Sequence, residues 1–117
     1  MQKYIESSLV FQEIQQALQI VGDKWSALIL LCLFDQPRRF GEIEQQSGMS
    51  PRTLAKKLAL LEKAGLIEKE NFNEFPPRTE YRVTTKARDL KEVIQGLKHW
   101  AKKYCACPQE ITKKQAK

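Results

Sequence analysis

Arg52, Thr53, Lys56 and Lys57 share one face of the segment SPRTLAKKLALLEK, from Ser50 to Lys63. Leu54, Leu58 and Leu61 recur at i, i+4 and i+7, the spacing that turns side chains toward a core on one side of a helix. The cationic residues are thereby forced outward, close to the helix start. An arginine there can bond the O6/N7 edge of guanine with two hydrogen bonds, and a threonine offers a hydroxyl and a methyl to a base edge. Lysines suit phosphate, which adds affinity without sequence information. Ser50 followed by Pro51 is the signature of an N-cap and a first helical residue. The amino end so made also attracts phosphate. The alternative is a solvated basic face, as most charge runs are. The DNA reading is preferred because the neighbouring elements agree with it.

Those elements begin with a short helix marked by Phe40, Ile43 and Gln46 and stopped at Gly48, which is placed for the positive φ of a C-terminal cap. Two helices joined by such a turn form a helix-turn-helix unit, whose second helix enters the major groove. Leu66 to Glu70 and Thr79 to Val83 alternate as strands, and Asn71 to Pro77 between them is turn-like. The fold class expected is mainly α with a small β-hairpin, an α+β winged helix-turn-helix. Arg38 and Arg39, ahead of the third helix, are either phosphate contacts or solvated cations. Pro76 and Pro77 stiffen the hairpin tip beside Arg78. That arginine either enters the minor groove, where negative potential concentrates, or pairs with Glu74 or Glu80.

Three further helices are expected. The first runs from Ile5 to Val21, and the second, strongly apolar, from Trp25 to Phe34 with Asp23 as N-cap. The last is a single long helix from a Thr84 cap to about Tyr104. The two terminal helices carry broad apolar stripes that include Leu9, Phe11, Ile14, Leu90, Ile94, Leu97, Trp100, Ala101 and Tyr104. Either these close on the chain's own core, or they join a second copy. A homodimer is preferred, because two-fold pairs are the commonest oligomers and match a palindromic operator in duplex DNA.

Lys and Arg number 20 against 14 Asp and Glu in 117 residues, a formal charge of +6 that suits a polyanion. One domain over residues 1–107 is expected, with a flexible polar tail over 108–117. No apolar run approaches the ~20 residues of a membrane span, and MQKYIESS has no secretory layout, so a cytoplasmic location without membrane contact is expected. Of three cysteines, Cys32 reads as a core thiol, and Cys105 and Cys107 form a pair too isolated for structural zinc. His99 is the single histidine, and there is no Gly-rich phosphate loop or paired-carboxylate scaffold. Neither an enzyme, a metal nor a cofactor is expected. A small-molecule effector is left open. The competing classes are a protein-interaction module and a thiol redox protein using Cys105 and Cys107.

Three ordered motifs then carry a family resemblance: ALQIVGDKW (Ala17 to Trp25), PRRFGEIEQQSGMSPRTLAKKLALLEKAGLIEK (Pro37 to Lys69) and FPPRTEYRVTTKARDL (Phe75 to Leu90). The chain resembles the HxlR-type winged-helix regulators of bacteria from Ala17 to about Trp100. The resemblance implies a dimeric DNA-binding repressor or activator with terminal helices at the dimer interface. It assigns the recognition helix to Ser50, Pro51, Arg52, Thr53, Lys56 and Lys57, and the wing to Pro76, Pro77 and Arg78. Many members carry a sensing cysteine-proline pair ahead of the first conserved helix. Gln12 and Glu13 stand there instead, so that sensor is absent. The family's usual proline after the capping threonine is Thr85 here.

Overall fold

A computed structural model describes residues 2–105, with side chains from residue 9 onward. Cys107 and the polar tail over 108–117 lie outside the described residues. The elements run α1 (Gln2–Val21), α2 (Lys24–Leu33), β1 (Arg38–Arg39), α3 (Phe40–Ser47), α4 (Pro51–Lys63), β2 (Ile67–Phe72), β3 (Arg78–Val83), α5 (Thr85–Arg88) and α6 (Lys91–Tyr104).

The local signals for the helix-turn-helix operate as their chemistry requires. Gly48 adopts φ 74° and ends α3, its N–H donating to the Glu44 carbonyl. A side chain there would be strained. Ser50 is extended and its Oγ accepts from the Thr53 N–H at 3.2 Å, with Pro51 at the first helical position of α4. A second left-handed glycine, Gly65 at φ 79°, turns the chain out of α4 into β2. The carbonyls of the turn that follows α4 find partners further along the chain. Thr84 Oγ1 donates to the Gly65 carbonyl at 2.6 Å, and Lys86 Nζ to that of Ala64 at 2.8 Å.

The core forms between α2, the helix-turn-helix and the sheet. Ile29, Leu30 and Leu33 of α2 meet Ile43, Met49, Leu54, Leu58 and Leu61, with Leu66, Ile67, Val83, Ala87 and Ile94 closing the other side. Each fully buried side chain of this size contributes about 1.5–3 kcal/mol. The leucine triad of α4 is wholly inside, so the opposite face of that helix is committed to the surface.

Two expectations are corrected. The hairpin is part of a three-stranded antiparallel sheet in the order β1-β3-β2, with Arg38 opposite Tyr81 and Arg39 opposite Glu80. Arg38 and Arg39 are therefore strand residues, held against the hairpin by backbone pairing. The last helix is two helices. Thr84 caps only a single turn, α5, its Oγ1 accepting from the Ala87 N–H. The Leu90 N–H then donates to the Ala87 carbonyl at 2.9 Å, and α6 starts anew from Leu90.

At the other end, α1 and α2 meet at a 69° bend. A Cβ on Gly22 would drive into the carbonyl of Leu18, so glycine is required by space at this corner. Among the described residues no single helix is long and apolar enough to cross a membrane. The radius of gyration, 17.0 Å, exceeds the ~13 Å of a compact domain of about 100 residues.

Candidate nucleic-acid interface

The outward face of α4 divides into cations with partners and cations without. Asp23 caps α2, its Oδ1 accepting from the Ser26 N–H at 2.7 Å. Its other oxygen accepts from Lys57 Nζ at 2.8 Å. One carboxylate thus fixes the start of α2 and clamps α4 to it. Burial raises the Asp23 pKa, but the hydrogen bonds from Lys57 and from the Ser26 backbone and hydroxyl outweigh it, and the pKa lies below the usual carboxylate value. Lys57 is consequently a tether within the fold, not the free lysine expected from its helical position. Arg52 and Lys56 are exposed and have no ion-pair partner among the described residues. Thr53 is half-buried and also receives a hydrogen bond from the Ser50 hydroxyl at 3.0 Å. Pro51 is exposed beside it.

Arg38 and Arg39 separate in the same way. The Arg38 Nε donates to the Cys32 carbonyl at 2.8 Å, and its Nη2 lies 3.2 Å from Asp35 Oδ2. It satisfies a carbonyl at the end of α2, one of those a helix leaves without an internal partner, and ties β1 to that end. Two of its three nitrogens are thereby engaged within the fold. Arg39 is exposed and without an ion-pair partner among the described residues, and its backbone N–H donates to Glu42 at 2.8 Å at the start of α3.

In the wing, β2 and β3 pair from Ile67 opposite Val83 to Phe72 opposite Arg78. Arg78 lies over the Phe72 ring at 4.0 Å and pairs with Glu74 at 3.0 Å and Glu80 at 3.4 Å. The pairing alternative anticipated for this arginine is the one observed, and both glutamates take part. Lower in the hairpin Arg82 bridges Glu68 and Glu70, at 3.2 and 2.9 Å. Pro76 and Pro77 are exposed at the tip, and beside them Phe75 is 99% exposed. Phe75 escaped the sequence reading because it stood only as the first letter of a motif. An aromatic residue in a turn-like stretch, next to two prolines that fit no strand, was the available signal.

The terminal helices present the second exposed feature. Leu9, Phe11, Ile14 and Leu18 of α1 and Val93, Leu97, Trp100 and Tyr104 of α6 are each at least half exposed. Trp100 and Tyr104 pack against one another as a tilted pair, with ring centroids 5.7 Å apart and planes at 47°. Ile94 departs from the expected interface set, being 7% exposed and part of the chain's own core. Leu90 packs against that core too, and Ala101 is half-buried. Cys32 is half-buried beside Arg38, and burial pushes its thiol above the usual range, which favours the unreactive protonated form. The cleft between α1, α2 and α4, lined by Ile20, Asp23, Lys57 and Leu60, holds about 200 Å³.

A recognition helix seated on a sealed core, with a β-hairpin rising from its end, defines the winged helix-turn-helix class of DNA-binding proteins. Comparison with known proteins makes this specific. The model of the HxlR-like helix-turn-helix family matches residues 20–109, and the chain belongs to that family. It is 35% identical over 98 residues to the transcriptional regulator Rv3095 of Mycobacterium tuberculosis, a match covering 84% of this chain and 62% of that one. It is 33% identical over 94 residues to the Bacillus subtilis regulator YodB, covering 80% of this chain and 84% of YodB. Among solved structures, reduced YodB superposes with a TM-score of 0.71 at 32% identity, covering 80% and 92% of the two chains. The oxidised redox regulator HypR gives 0.77 at 25% identity, covering 80% and 98%. The chain spans 62% of the length of the mycobacterial relative. Family and relatives are transcriptional regulators rather than enzymes.

Proposed function

We propose that this chain acts in the cytoplasm as a homodimer that binds a pseudo-palindromic operator in duplex DNA and so represses or activates a promoter. The observation that carries the reading is the pair Arg52 and Lys56, left without ion-pair partners among the described residues on the outward face of α4. In this reading Arg52 reads a guanine, Thr53 and Pro51 contact the adjoining base edge, and Lys56 meets phosphate. Ser50 shapes the amino end of the helix, and Arg39 reaches the flanking backbone. Pro76 and Pro77 belong to the wing tip, while Arg78 stiffens the wing. Lys57 and Arg38 support the reading face from behind.

The dimer rests on the exposed stripes of α1 and α6. A patch of this kind on an isolated chain signals a partner, and a second copy is the simplest one. Leu9, Phe11, Ile14, Leu97, Trp100, Ala101 and Tyr104 make up the proposed contact. One recognition helix per subunit would then reach successive major grooves about one helical turn apart, ~34 Å.

Selection of sites from a random duplex pool, followed by titration of the winner at two salt concentrations, tests this. A palindromic winner with half-sites one turn apart is expected. Its affinity should fall on the order of 10³-fold between 50 and 200 mM salt for ~6 phosphate contacts. Leu97→Asp should turn the dimer into a monomer in sedimentation and cost on the order of 10²-fold or more on the paired site, by removing the second linked contact. No enrichment from the pool would refute operator recognition.

A further inference from the structure

We propose that Phe75 is a DNA contact of the wing, entering the minor groove as an apolar wedge that prefers a deformable base step beside each half-site. The inference rests on the operator-binding reading and extends it to a residue and a specificity.

The wing's charges do not fit the role expected of them. At the tip Arg78 is held by Glu74 and Glu80 and covered by Phe72. These three charged groups sum to one negative charge, which repels phosphate. Between Glu74 and Arg78 the chain is apolar, with Phe75 at 99% exposure followed by Pro76 and Pro77. Phe75 is the most exposed large apolar residue among those described, and none of the core elements gives it shelter. Yet the stem beneath it is strongly built. Six residue pairs register β2 against β3, Arg82 of β3 braces Glu68 and Glu70 of β2, and Arg78 lies over the Phe72 ring of β2 while holding Glu74 of the connecting loop. A rigid stem carrying an unsheltered aromatic ring presents an apolar group to a partner at fixed geometry.

Reach selects the partner. β2 leaves the end of α4 through the Gly65 turn and runs six residues to Phe72, about 20 Å at ~3.3 Å per residue. Adjacent major and minor grooves lie about half a helical turn, ~17 Å, apart. With α4 in the major groove, the wing has the length to meet the neighbouring minor groove. Phe and Pro are side chains that proteins insert there, partly unstacking a base step. Pyrimidine–purine steps yield most easily, so an apolar wedge reads deformability without a hydrogen bond.

The test uses the full chain and the duplex enriched from the random pool. Phe75→Ala should bind that duplex about tenfold more weakly, the loss expected when an apolar ring of this size stays in water. The slope of log affinity against log salt should stay at the parent value, because no phosphate contact is lost. Pools selected with the parent should favour TA or CA steps at the flanking positions, and pools selected with Phe75→Ala should lose that preference. Phe75→Trp should retain it. Since Phe75 supports no core residue, the thermal midpoint of each variant should match the parent, which separates contact from folding. Unchanged affinity and unchanged flanking preference in Phe75→Ala would overturn the proposal and leave the tip for a protein partner. A loss accompanied by a shallower salt slope would overturn it too, because the contact would be ionic. A parent that enriches no duplex would refute the operator reading itself, and the wedge with it.

Discussion

The outer face of α4 and the wing are both rich in cations, yet they are built in opposite ways. On α4, Arg52 and Lys56 carry no ion pair among the described residues, while Lys57, one residue on, is bonded to Asp23. In the wing, Arg78 and Arg82 each bridge two glutamates. The comparison teaches that a basic residue in a DNA-binding fold is no evidence of a DNA contact until its partners are known. Ion pairs at such exposure contribute at most ~1 kcal/mol each to stability. Their larger effect here is on position. They hold the wing stiff and α4 in place, while withdrawing their own charge from any outside ligand.

The strongest test of this contrast exchanges the two arginines. Arg52→Ala should weaken binding to the selected duplex by about 1–3 kcal/mol and relax one base position, as loss of a bidentate guanine contact does. Arg78→Ala should cost less than a third of that and leave every base preference in the major groove intact. Equal losses, measured by fluorescence anisotropy on duplexes substituted one base pair at a time, would erase the distinction between the regions.

A smaller effect separates neighbours on α4 itself. Lys56→Ala should weaken binding to all sequences alike and reduce the salt slope by about one phosphate contact. Lys57→Ala should leave the slope unchanged. It should lower stability instead, by up to about 1 kcal/mol in urea unfolding, because its pair with Asp23 is partly exposed. A salt slope that falls for Lys57→Ala would show that the lysine leaves Asp23 when DNA arrives.

What the sequence disclosed follows the range of the interactions. Gly48, Ser50, Pro51 and the leucine triad act within a turn or two of helix, so the helix-turn-helix and the inward face of α4 were legible residue by residue. The strand β1 was not, since two residues are too few for any period and their pairing with Tyr81 and Glu80 is non-local. Nor was the break between α5 and α6, where no proline or glycine interrupts KARDLKEVI. Among the candidate residues, Lys57 pairs with a residue 34 positions away, and Arg38 spends itself on a carbonyl of α2. Helical spacing says which way such a side chain points but not whom it meets. Ile94 shared its stripe with Leu97 and Trp100, and only the packing of α6 against α2 shows that it belongs inside.

The least disruptive test of the support behind α4 is acid. Hydrogen bonds from Lys57 and Ser26 hold the Asp23 pKa below the usual value despite its partial burial. A carboxylate whose pKa is lower when folded binds its proton less readily in the native state. It therefore contributes stability that is present above the unfolded pKa, roughly pH 4, and lost as pH falls through the folded value. Asp23→Asn keeps an oxygen for the Ser26 N–H but loses the charge facing Lys57. The stability difference between parent and Asp23→Asn should be steady from neutral pH to about pH 5 and close below pH 4, while other carboxylates titrate equally in both proteins. A difference that ignores pH would assign Asp23 to helix capping alone. The clamp between α2 and the recognition helix would then be no more than a surface contact.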